Sequence, residues 1–64
     1  MRYWAEADAL ARVLQKMAGN VDDRIAVGVE KRRGVWGWRL RDPWEGDHWD
    51  DDFQRLADHI NSGY

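Results

Sequence analysis

The sequence predicts a single α+β domain over residues 1–64, with the element order α–β–β–α and both helices on one face of a two-stranded antiparallel hairpin. Apolar residues recur every three to four positions over residues 3–18 and again over residues 48–61, the period of an amphipathic helix. Between them, Ile25/Val27/Val29 and Trp36/Trp38/Leu40 alternate on either side of the tetrapeptide KRRG, which is the period of two half-buried strands.

Taken in order, the first helix spans residues 3–18. Tyr3, Ala7, Leu10, Leu14 and Met17 form its apolar stripe, alanines at 5, 7, 9 and 11 raise its propensity, and Gly19-Asn20 supplies a stop. Trp4 and Val13 fall at the edges of the stripe, where core rim is the favoured reading over partner contact. The strands are expected at 24–30 and 35–41, joined by a four-residue loop, Lys31–Gly34, that Gly34 closes at positive φ. This register pairs Val29 with Trp36, Val27 with Trp38 and Ile25 with Leu40, and a slip by one residue would turn the apolar set outward. It also sets Gly28 against Gly37 on the other face, leaving a smooth surface for a close-packed segment or a docking partner.

Asp42-Pro43-Trp44-Glu45-Gly46 reads as a loop. Trp44 either folds back as a lid over the small core, the favoured reading, or stands out as an interface anchor. The second helix is expected over 48–61, with Asp47 as N-cap, Asp50 at N3 and a stripe of Trp49, Phe53, Leu56 and Ile60. The expected core is Leu10, Leu14, Met17, Ile25, Val27, Val29, Trp36, Trp38, Leu40, Trp49, Phe53, Leu56 and Ile60.

The net charge of −2 conceals a division. Residues 24–41 carry six basic side chains against Glu30 alone, and residues 42–58 carry seven acidic ones against Arg55 alone. On a helix over 48–61 with its cap at 47, Asp47, Asp51 and Asp58 share one face with Asp50 beside them.

The chemistry is read mostly by exclusion. Without cysteine there is no disulfide, zinc–thiolate or thiol nucleophile, and with one serine and no threonine a hydroxyl nucleophile is equally lacking. The glycines match neither dinucleotide- nor phosphate-binding patterns. His48 and Asp52 stand four residues apart, but His59 falls ~16 Å further along a continuous helix, so no metal site is expected. No enzyme activity and no cofactor is expected. The chain contains no apolar run of membrane-spanning length, and its first residues lack a signal-peptide pattern, so a cytoplasmic protein without membrane contact is expected.

Two binding readings remain. In the first, Asp47, Asp50, Asp51 and Asp58, with Trp44, meet a partner protein that has a basic surface. In the second, Lys31, Arg32 and Arg33 at the hairpin tip, with Arg24, Arg39 and Arg41 at its base, contact nucleic acid phosphates. The free hairpin edge adds a homodimer as a further way to cover unpaired backbone. In size, charge and lack of catalytic residues the chain resembles the small inhibitors carried by phages and mobile elements, such as anti-CRISPR proteins. That resemblance is compositional and implies a protein that acts as an inhibitor or adaptor by occluding a partner's surface.

Overall fold

A computed structural model describes residues 2–63, with side chains from Ala5 onward. The Tyr3 and Trp4 side chains, expected on and beside the first helical stripe, lie outside the described set. The fold is α+β, in the order α1 (Arg2–Val21), β1 (Ala26–Arg32), β2 (Val35–Asp42), β3 (Gly46–Asp50) and α2 (Phe53–Asn61). The sheet is antiparallel with strand order β1-β2-β3, one strand more than the expected hairpin.

α1 continues through Gly19, because a helical glycine costs only about 1 kcal/mol and Ala18 beside it is fully buried. It ends where the Asp22 carboxylate accepts from the Arg24 backbone N–H at 2.8 Å, a local turn that competes with further helix. β1 and β2 are joined by two residues rather than four. Arg33 (φ 51°) and Gly34 (φ 77°) both take left-handed conformations, as a type I′ hairpin turn requires. The register is therefore shifted by two from the expected one: Val27 pairs with Leu40, Val29 with Trp38 and Lys31 with Trp36. A shift of two preserves which face each side chain occupies, so the apolar face stays inward.

The shift moves two predicted features. Trp36 now lies opposite Lys31 near the tip and is 43% exposed, so it leaves the expected core. Gly28 pairs with Arg39 and Gly37 with Glu30, so the two glycines do not face each other.

β3 replaces the first turn of the expected second helix. Asp47 pairs with Arg41 and Trp49 with Arg39, and the alternation of Asp47/Trp49 with His48/Asp50 suits a strand as well as a helix start. Asp47 is therefore no N-cap; Asp52 caps α2, its carboxylate accepting from the Arg55 backbone N–H at 3.2 Å. Trp49 packs on the outer face of the sheet, away from the core, and its Nε1 donates to Glu30 O at 2.9 Å. α2 ends as expected, with Gly63 at φ 81° and its N–H bonded to Ile60 O.

Leu14, Ile25, Leu40, Leu56 and Ile60 form the fully buried centre, with Ala11, Ala18, Ala57 and Trp38 around them. Leu10, Met17, Val27, Val29 and Phe53 pack against it partly buried. Trp38 ties the layers together: its ring meets Phe53 edge-on at 5.9 Å, and its Nε1 donates to Ala7 O of α1 at 3.0 Å.

Candidate recognition site

The turn between β2 and β3 presents the most exposed large apolar side chain among the described residues, Trp44, at 57% exposure. It is no lid on the core. Asp42, at the end of β2, is only 6% exposed, and its Oδ1 accepts from the backbone N–H groups of Trp44 (2.8 Å) and Glu45 (2.6 Å). Gly46 at φ 84° completes the reversal into β3. Burial works to raise the Asp42 pKa, but the N–H groups of Glu45, Trp44 and Gly46, with a smaller contribution from His59, outweigh it and hold the carboxyl below its ordinary value.

Arg24 braces the indole. Its guanidinium lies 5.7 Å from the Trp44 ring centroid, within cation–π range. Arg24 is itself fixed by a two-point contact with Asp22, Nε to Oδ1 at 3.0 Å and a terminal nitrogen to Oδ2 at 2.8 Å. The hydrogen bonds from the Arg24 side chain and backbone lower the Asp22 pKa to about 2. Trp44 thus combines an exposed aromatic surface with a turn braced by the Asp42 carboxylate and a neighbouring cation, Arg24, held by Asp22.

The other predicted acidic residues are not gathered on one helix. Asp47 projects from β3 on the outer sheet face, 3.5 Å from Arg39 and 3.9 Å from Arg41. Asp50 is buried, accepting from the Asp52 N–H at 2.8 Å and pairing with Arg55 at 3.4 Å. Asp51 is exposed in the connection before α2, and Asp58 is exposed on α2, where Gln54 donates to it at 3.0 Å. The face expected from Asp47, Asp51 and Asp58 depends on a helix that starts five residues before the observed one, which begins at Phe53.

Four of the six basic side chains, Arg24, Arg32, Arg39 and Arg41, contact carboxylates within the fold. Glu30 pairs with Arg32 and Arg39, Arg39 and Arg41 reach Asp47, and Arg24 is held by Asp22. Hydrogen bonding from Arg32 is the main reason the Glu30 carboxyl lies below its ordinary pKa; burial opposes this, and Arg39 adds to it. Lys31 sits 5.7 Å from the Trp36 ring, and Arg32 lies at the same distance over Trp49.

The histidines also depart from expectation. Because His48 lies on β3, it stacks on His59 of α2 with centroids 4.9 Å apart, instead of lying far along a shared helix. Among the described residues, no three His, Asp or Glu side chains gather as metal ligands. No described helix is long and apolar enough to cross a membrane. Sequence reasoning missed the carboxylate network of Asp22 and Asp42; the signal available was an Asp two residues before each turn residue that needs its N–H satisfied.

Comparison with protein-family models, curated proteins and solved structures finds no match to this chain.

Proposed function

We propose that this chain is a small, non-enzymatic recognition protein of the cytoplasm, an inhibitor or adaptor that occludes a surface of a partner protein through Trp44. The observation that carries this reading is the exposed indole on a turn held by the buried Asp42 carboxylate. A tryptophan fixed before binding loses little entropy on binding, and Trp is enriched among residues that dominate interface energetics. Glu45 is exposed beside it and favours a partner whose apolar indentation has a basic rim.

The second reading, nucleic acid at the hairpin tip, is favoured by the exposure of Trp36 beside Lys31, which offers a base-stacking surface next to a cation. It is the weaker one because Arg24, Arg32, Arg39 and Arg41 are already paired with carboxylates, and counterion release needs cations that are available to phosphates.

The test is affinity capture from lysate with the intact chain, Trp44→Ala, and Lys31→Ser/Arg32→Ser/Arg33→Ser, each with and without nuclease. A protein retained after nuclease and lost with Trp44→Ala supports the first reading. Material lost on nuclease treatment and with the triple variant, but kept by Trp44→Ala, replaces it with the second.

A further inference from the structure

Among the described residues, β1 has a neighbouring strand on one side only. At the start of its open side, the Gln15 side-chain amide takes the place a strand would fill: Nε2 donates to Ile25 O and Oε1 accepts from the Val27 N–H, each at 2.8 Å. These bonds reveal the phase of the ladder. Since the Val27 N–H turns away from β2, the two-residue repeat of antiparallel pairing turns Val29 and Lys31 away as well. Val27 O, Val29 N–H, Val29 O and Lys31 N–H therefore line an edge with no hydrogen-bond partner among the described residues. A groove of about 270 Å³ follows this edge on the outer face, lined by residues 26–30 with Arg39 and Arg41 as its wall. Its floor is Gly28, where a Cβ would meet nothing within 4 Å.

We propose that this edge is a homodimer interface, in which β1 of a second copy pairs antiparallel about a two-fold axis at Val29. The open groups are self-complementary under that operation. Val29 N–H bonds to Val29 O of the second copy and the reverse, and Lys31 N–H bonds to Val27 O and the reverse. The Val27 N–H is already held by Gln15, so the pairing ends there. The same register sets Glu30 of each copy, held by Arg32 and Arg39 of its own chain, opposite the bare backbone of Gly28 of the other, where no side chain opposes it.

Neighbouring two-fold registers fail on specific groups. An axis at Gly28 needs Val27 N–H and Ile25 O, both occupied by Gln15. An axis at Glu30 sets the two Glu30 carboxylates directly against each other, which like charges oppose. The interface lies apart from Trp44 and does not depend on the recognition reading above.

Sedimentation equilibrium of the intact chain over a dilution series tests this. The expected result is a reversible doubling of the 7.6 kDa chain mass. Gly28→Val fills the groove floor, and Val29→Pro removes an edge N–H without touching the ladder to β2; both return the mass to 7.6 kDa, with far-UV circular dichroism checking the fold. Trp44→Ala keeps the doubled mass. Because the chain has no cysteine, register is read by mixing a Gly28→Cys chain with a Glu30→Cys chain. Their Cα atoms would lie about 4.5 Å apart, within disulfide range, so the mixture cross-links and neither chain does so alone. A mass of 7.6 kDa at every concentration, or a doubled mass that survives Gly28→Val, overturns the proposal. If Val29→Pro fails to fold, Gly28→Val and the cysteine mixture still decide.

Discussion

Trp49 lies against the bare backbone of Gly37: a Cβ placed on Gly37 would sit 2.7 Å from Trp49 Cζ2 and 2.5 Å from the Asp50 carbonyl oxygen. This contact seats β3 on β2 and gives the indole its place on the outer face, where Nε1 reaches Glu30 O across the sheet. Backbone cannot yield as a flexible side chain would. Gly37→Ala is expected to lower stability by about 1–3 kcal/mol, read as a drop in the urea midpoint. Gly28→Ala, with open space at its Cβ, is expected to leave the midpoint unchanged or raise it. Equal effects at both positions would contradict the packing described.

Arg33 holds a left-handed conformation, φ 51°, at the first position of the β1–β2 turn. Asparagine tolerates that region better than a long side chain and is favoured before glycine in this turn type. Arg33→Asn is expected to stabilise the fold by roughly 0.5–1 kcal/mol in chemical denaturation, and a loss of stability would show that the arginine side chain contributes a contact there.

Gln15 closes part of the β1 edge with two hydrogen bonds. Gln15→Ala leaves Ile25 O and Val27 N–H to water, a cost of about 1–2 kcal/mol. Amide exchange at Val27 should accelerate well beyond that of Leu40 across the ladder. Unchanged exchange at Val27 would remove Gln15 from the edge.

Acid sensitivity follows from Asp22 and Asp42. Both carboxyls are depressed in the fold, so the folded state binds fewer protons than the unfolded chain as the pH falls. The stability they contribute is fully present above the ordinary value of 3.8, and for Asp22 it is lost as the pH falls towards about 2. The urea midpoint should therefore decline through that window, and Asp22→Asn should flatten part of the decline. A midpoint indifferent to pH from 3.8 downward would contradict the two carboxylate turns.

The sheet's inward face was legible from alternation alone, because face membership survives a register shift of two and depends only on parity. The turn that sets the register was not. KRRG accommodates either a four-residue loop or a two-residue one, and the shorter form gains the Lys31–Trp36 and Arg32–Val35 pairs. Likewise DHWDDDFQRL satisfies a helix with Asp47 as cap and also a strand followed by a helix capped at Asp52. The pairing of β3 with β2 decides between them, and pairing is tertiary information. From these two local ambiguities came the dispersal of the expected acidic face, the exposure of Trp36 and the meeting of His48 with His59. Trp44 was singled out in the sequence as lid or anchor; what the sequence did not reveal is the buried Asp42 carboxylate that turns it outward.

We propose Trp44 as a recognition anchor presented by a preformed turn. The most direct test is titration of the captured partner against the intact chain and Trp44→Ala, with urea denaturation of both. Trp44→Ala is expected to weaken binding at least about thirtyfold, roughly the 2 kcal/mol of an interface hot spot, while stability falls by no more than about 1 kcal/mol, the scale of the lost Arg24 cation–π contact. Binding by Trp44→Ala within about threefold of the intact chain, less than 1 kcal/mol by affinity arithmetic, would contradict it.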